Sequence, residues 1–211
     1  MISALLFTLG AVIAVIYLPR APQRPSVARS LRKTLPVALF AASVMAAGGS
    51  WVLVLALALG AIGDLALSRP GERAFLVGML AFSLAHLAYL VLLIAAGGGV
   101  ESVMVLPSIL MILFGISSEW WLAPHTGTLR WPVRGYVVII LAMGLAALGL
   151  PAGNIWALAG AMLFVLSDFI LAIETFLLSP DHRLRRGLSY LVWITYICAQ
   201  ASLMLGLGPF V

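Results

Sequence analysis

The chain has 211 residues, 64% of them hydrophobic and 9% charged, where an ordinary soluble domain carries roughly 25% charged residues. This composition excludes a soluble globular enzyme and describes an all-α polytopic membrane protein, with length for a single helical domain over residues 1–211 and none for a separate soluble one. The formal net charge is +5, but its distribution, set out below, points to membrane topology and not to a nucleic-acid partner.

Apolar runs separated by polar or Gly/Pro breaks predict eight spans, at 3–18, 32–47, 51–68, 73–96, 102–119, 131–149, 153–178 and 187–207. The first run lacks a basic leader and is followed by arginines, so it reads as a retained span and not a cleaved signal peptide. Lys33 begins the second. The third contains LALGAIGDLALSRP (57–70), which places Asp64 in an otherwise apolar run. The fourth carries Ser83, His86 and Tyr89, with His86 and Tyr89 on one helix face. The fifth ends at Glu119, beside Trp120 and Trp121. The seventh carries Ser167, Asp168 and, toward its end, Glu174. The eighth carries Tyr190, Thr195, Tyr196 and Gln200, with Tyr196 and Gln200 on one face. The lone cysteine, Cys198, allows no disulfide framework or thiolate metal site.

All twelve Lys and Arg residues fall in alternate breaks. Arg20, Arg24, Arg29, Arg32 and Lys33 lie between the first and second spans, and Arg69 and Arg73 between the third and fourth. Arg130 and Arg134 lie between the fifth and sixth, and Arg183, Arg185 and Arg186 between the seventh and eighth. The positive-inside rule then predicts four basic loops in the cytoplasm and both termini outside, in a bacterial inner membrane. Trp120, Trp121 and Trp131 flank the third basic loop, while Trp51 and Trp156 mark outer ends.

Seven acids remain to be placed. Glu72 and Asp181 sit in basic loops, Glu101 in an outer break, and Glu119 at an interface. Asp64, Asp168 and Glu174 fall inside spans. An ionisable group at a helix centre costs ~2.5–3.5 kcal/mol on insertion scales, so such groups face a bundle interior or water. Counting back from the span ends puts Asp64 ~6 Å and Asp168 ~15 Å deep on the cytoplasmic side, where both could share one cavity. The pentapeptides GDLAL (63–67) and SDFIL (167–171) lie on helices of the same direction, four spans apart, and hint at a four-plus-four duplication.

Two carboxyls in unlike surroundings can divide into a proton donor and a proton acceptor, which suits hydrolysis by general acid–base chemistry. No G-x-S-x-G elbow, H-E-x-x-H pair or phosphate-cradling glycine loop is present, and His86, His125 and His182 are scattered. A metal hydrolase would require distant residues to converge. The rival reading is a proton-coupled small-molecule carrier or lipid transporter using the same acids. Against it, the acids lie toward one side, and no pair of broken helices is evident.

GAIGDLALSR (60–69), Phe75–Gly78, His86–Tyr89, PVRGYVVIILAM (132–143), FVLSDFILAIETF (164–176) and TYICAQ (195–200) occur in order over nearly the whole chain. Together they resemble the YhhN-like membrane proteins, which include the lysoplasmalogenases. Lys33 falls where that family has a lysine in its second span. The resemblance implies an eight-span hydrolase that cleaves the vinyl-ether bond of a lysophospholipid substrate, the lysoplasmalogen, without a cofactor. The products would be a fatty aldehyde and a glycerophospho-ethanolamine or -choline. The family's two key aspartates match Asp64 and Asp168, with Asp168 expected as proton donor because it lies deeper. His86, Tyr89, Tyr190, Tyr196, Gln200 and Glu174 are expected to line the substrate pocket, and Lys33 and nearby arginines to attract the phosphate. The chain departs from the family pattern at Ala85, where a glycine is usual, and at Glu174–Thr175. Both positions bear on substrate preference.

Overall fold

The computed structural model describes residues 1–99 and 104–208, so Glu101 lies outside the described residues. These residues form eight α-helices: α1 (Ile2–Tyr17), α2 (Val27–Ala46), α3 (Trp51–Leu67), α4 (Glu72–Ala95), α5 (Val105–Trp121), α6 (Arg130–Leu148), α7 (Ile155–Ala172) and α8 (Arg185–Leu207). Each apolar run forms one helix, and no strand occurs among the described residues. Six helices, all but α2 and α3, are long and apolar enough to cross a membrane. The chain is an integral multi-pass membrane protein. α3 is apolar but has 17 residues, and α2 carries Arg29, Arg32 and Lys33 in its first two turns.

Two boundaries differ from the hydropathy pattern. α2 begins at Val27, five residues before the apolar run, because Ser26 caps it: its hydroxyl oxygen accepts the Arg29 backbone N–H at 3.2 Å. The Arg29 side chain then folds back and donates to the carbonyls of Arg20 (3.3 Å) and Ala21 (2.6 Å). A charged stretch that reads as loop is therefore the first two turns of a helix. At the other end, α7 does not run evenly through its apolar segment. It widens into a π-helical turn over Ile173–Leu177, a distortion common beside functional sites.

The packing order has a simple form. α2, α3, α4, α6, α7 and α8 close a ring, with α1 outside it on α2 and α5 outside it on α6. The first four helices and the last four make the same neighbour pattern, which agrees with the sequence echo around the two aspartates. α1 is also tied to α8: the Trp193 indole donates to the Ala14 carbonyl at 3.0 Å, and its ring meets Tyr17 edge-on at 4.5 Å.

Lipid tails offer no less apolar company than leucine does, so helices in a membrane associate by close approach of small residues. α7 and α8 show this most clearly. A Cβ added at Gly160 would lie 2.7 Å from the Leu203 backbone nitrogen, and one at Gly206 would lie 2.3 Å from that of Ala157. The Gly160→Leu variant is expected to lose about 1–3 kcal/mol of stability through overpacking, read as a lowered unfolding midpoint in detergent. An unchanged midpoint would mean that this helix pair does not hold the bundle.

Candidate active site

A cavity of about 680 Å³ opens at the end of the bundle where the basic connections meet. Arg29 at the start of α2, Arg69 between α3 and α4, Leu129 between α5 and α6, and Arg185 at the start of α8 all line it. Asp64 and Asp168 line the same cavity.

Asp64, on α3, is 1% exposed. Lys33 from α2 places its Nζ 3.1 Å from Oδ1, and the Tyr196 hydroxyl from α8 donates to Oδ2 at 2.7 Å. The chain of donors continues inward. The Gln200 amide donates to the Tyr196 oxygen at 3.2 Å, and the Tyr89 hydroxyl of α4 donates to the Gln200 carbonyl oxygen at 2.5 Å. Every donor is aimed toward Asp64. Glycines on α3 make room for this. A Cβ at Gly60 would stand 2.7 Å from Gln200 Nε2, and one at Gly63 would stand 2.6 Å from the Phe82 ring. The GAIGD segment thus carries glycines because α8 and α4 press against α3 beside the acid.

Asp168, on α7, keeps different company. The Tyr136 hydroxyl of α6 donates to its Oδ2. His86 Nε2 of α4 lies 3.8 Å from the same oxygen, beyond hydrogen-bond length. Among the described residues, no Lys or Arg pairs with Asp168. His86 is fully buried with neither ring nitrogen partnered among the described residues, and it packs on the Phe164 ring at 4.5 Å between centroids.

The arrangement follows the repeat seen in the fold. Asp64 on α3 is faced from α2 and α8, and Asp168 on α7 is faced from α6 and α4. Lys33 and Tyr136 thus come from corresponding helices, as do Tyr196 and His86.

The remaining expected residues divide. Lys33 and Tyr196 line the cavity. Glu174, in the π-helical turn, lines it too; its carboxylate accepts from Ser189 at 2.6 Å and its carbonyl from Arg185 at 2.5 Å. His86, Tyr89 and Gln200 are fully buried and do not line the cavity. Tyr190 is half-buried against the apolar core and does not line the cavity. Lys33, expected to meet a phosphate, is the counter-ion of Asp64. Two features were not read from sequence: that ion pair, and Tyr136. The available signal for Tyr136 was its standing as the sole phenol in the sixth apolar run. Among the described residues, no three His, Cys, Asp or Glu side chains gather to hold a metal ion.

Fold and site define a multi-pass helical membrane protein with two aspartates on apolar helices facing one cavity. The chain belongs to the YhhN family, whose family model matches residues 28–207. α1 lies outside that match. Among the relatives, the lysoplasmalogenase of Mycobacterium tuberculosis is 32% identical over 159 residues, covering 73% of this chain and 59% of that protein. Lysoplasmalogenase TMEM86A of Bos taurus is 29% identical over 216 residues, covering 94% and 85%. Lysoplasmalogenase TMEM86B of Homo sapiens is 31% identical over 193 residues, covering 83% and 74%. The match spans about three fifths of the length of the mycobacterial relatives. No solved structure matches the chain.

Removing one partner of a buried ion pair leaves an uncompensated charge, at a cost of about 3–5 kcal/mol. Lys33→Met is expected to lower the unfolding midpoint accordingly, and Lys33→Met with Asp64→Asn to recover most of the loss. If the double variant is no more stable than Lys33→Met alone, the two side chains do not compensate each other.

Proposed function

We propose that this protein is a membrane hydrolase of the lysoplasmalogenase type, cleaving the vinyl-ether bond of a lysophospholipid. The observation that carries the proposal is the unlike company of two acids on one cavity. Asp64 has a cation and a phenol, while Asp168 has a phenol and no cation among the described residues. The names of the relatives support the same substrate class.

In this reading Lys33 holds Asp64 as the carboxylate, and Asp168 is the acid. Asp168 transfers its proton to the outer alkene carbon. The carbon bound to the ether oxygen becomes an oxocarbenium ion, balanced by the Asp168 carboxylate just formed. Water adds to that carbon and gives a proton to Asp64. The hemiacetal then breaks at its carbon–oxygen bond. Its hydroxyl proton returns to Asp168, and the proton on Asp64 goes to the leaving oxygen. A fatty aldehyde and a glycerophospho-ethanolamine or -choline depart, and both acids are reset. The scheme requires no metal and no organic cofactor. Tyr136 fixes the Asp168 carboxyl and Tyr196 fixes that of Asp64.

The phosphate is assigned to Arg69. Arg29 and Arg185 spend their guanidinium groups on backbone carbonyls, whereas Arg69 lines the cavity with no side-chain partner among the described residues. The convergence of all four basic connections at the cavity supports eight spans, with α2 and α3 crossing as well, both termini on the far face, and the cavity mouth on the cytoplasmic side of a bacterial inner membrane.

The test is aldehyde release by the purified protein from alkenyl and acyl lysophospholipids offered side by side. Release is expected from the alkenyl lipid alone. Asp64→Asn and Asp168→Asn are each expected to lower kcat by about 10²–10⁴-fold, the usual worth of a general acid or base. Full turnover in either folded variant would sink the mechanism. Arg69→Gln is expected to raise KM roughly 10-fold with little change in kcat, as loss of a charged hydrogen bond predicts; an unchanged KM would move the phosphate elsewhere.

A further inference from the structure

Asp168 lines a second hollow as well. An apolar crevice of about 100 Å³ lies between α4, α5, α6 and α7. Its walls include Met79, Phe114, Val137, Ile140, Val165 and Phe169. Leu67, Phe75, Phe82, Leu171 and Phe176 line both the crevice and the charged cavity, so the two hollows adjoin at Asp168. Phe75 of α4 and Phe176 of the π-helical turn meet edge-on at 5.8 Å on that shared wall. One side of Asp168 thus offers arginines, and the other offers hydrocarbon.

The outer cover of the crevice is thin. α5 stands outside the helix ring and buries only Ser108 and Gly115 along its length. It reaches α7 through aromatic rings, Phe114 against Phe169 at 5.1 Å and Trp121 against Phe169 at 5.5 Å. No hydrogen bond or ion pair joins α5 to α7 among the described residues. A hollow with hydrocarbon walls forfeits dispersion contacts unless something apolar fills it, and the side facing the membrane holds hydrocarbon chains.

We propose that the crevice holds the hydrocarbon chain of a single-chain amphiphile whose anionic head lies in the charged cavity, and that the chain enters sideways from the membrane between α5 and α7. The head assignment rests on the reading of the cavity given above. The chain assignment rests on the crevice itself. At about 100 Å³, less than the ~150 Å³ that holds a benzene, the crevice takes the first few methylenes of one chain, and a second chain finds no place beside it. Head and tail then meet beside Asp168, where the ether linkage of such a lipid falls. The crevice would also set chain preference, through Val165 and Ala172 on α7 and Ser118 on α5.

The experiment uses the full chain in lipid nanodiscs with a saturated ether lysophospholipid carrying a diazirine in its chain, which binds without being a vinyl ether. Photolabelling is expected at Phe114, Ser118, Phe169 and Ala172, and is expected to fall at least fivefold in Ala172→Phe and in Ser118→Trp, two variants that fill the crevice from different helices. Labels spread over lipid-facing positions such as Leu5 and Val15 of α1, equal in wild type and variants, would overturn the proposal. In parallel, the ratio of kcat/KM for a long-chain to a short-chain vinyl-ether substrate is expected to fall at least tenfold in both variants; an unchanged ratio would also overturn it. Crevice labelling in a wild-type protein that releases no aldehyde would uphold the chain site and reject the hydrolase.

Discussion

A carboxylate at Asp64, almost fully enclosed by an apolar bundle, has to find its compensation inside the protein. At 1% exposure it meets little of the cavity's water, and an unpaired buried charge costs several kcal/mol. Lys33 and Tyr196 supply the compensation here, from the second and the last helices of the chain. That requirement fixes much else. α8 must lie close enough to α3 for a phenol to touch the acid, and Gly60 leaves room for the Gln200 amide beside it. Gln200 must then hold Tyr196, and Tyr89 must hold Gln200, so α4 is drawn into the same chain of bonds. The two chain neighbours of α3, α2 and α4, and the remote α8 thus all meet it around one charge.

The second acid shows what the repeated packing makes available. A four-plus-four arrangement offers two equivalent positions, each faced by one helix of its own half and one of the other. Lys33 of α2 pairs with Asp64, whereas Tyr136 of α6 gives Asp168 a hydrogen bond and no cation. His86 comes from the helix that corresponds to that of Tyr196, but at 3.8 Å it does not bond. Two like groups on like helices thereby have unlike partners, the condition the proposed acid–base division of a carboxyl pair depends on.

Hydropathy exposed the eight helices, because lipid-facing runs and polar breaks differ strongly in composition. It misplaced the start of α2, since Arg29, Arg32 and Lys33 read as loop while the Ser26 cap that overrides them is a local bond no hydropathy window registers. Asp64 and Asp168 stood out because acids are rare in apolar runs. Their partners did not. Tyr136 is one phenol in a span, and only its contact with α7 gives it meaning. Lys33 looked like an interfacial cation, and its pairing is fixed by a rotation of α2 against α3 that no spacing in the chain encodes. Tyr190 illustrates the converse: it shares a helix with Tyr196 but faces the apolar core. Helical position was legible, and cross-helix contact was not.

The shape of the interior also bears on the choice between chemistry and transport. A carrier must expose its site to each face in turn, through helices that can part above it as well as below. Here the cavity opens at the basic end. Beyond Asp64 the interior is filled by the Tyr89–Gln200 bond and by Leu53, Leu57, Phe164 and Met143, all fully buried. α7 and α8 are locked by backbone-close contacts at Gly160 and Gly206, so the far half has little freedom to separate. The looser contact is lateral, between α5 and α7. A site that meets water at one end and lipid at one side matches a reaction with one soluble and one membrane-bound product. In the proposed reaction the headgroup would leave by the basic mouth, and the aldehyde would return to the bilayer past Phe169. That division of exits weighs toward hydrolysis of an amphiphile over passage of a solute across the membrane.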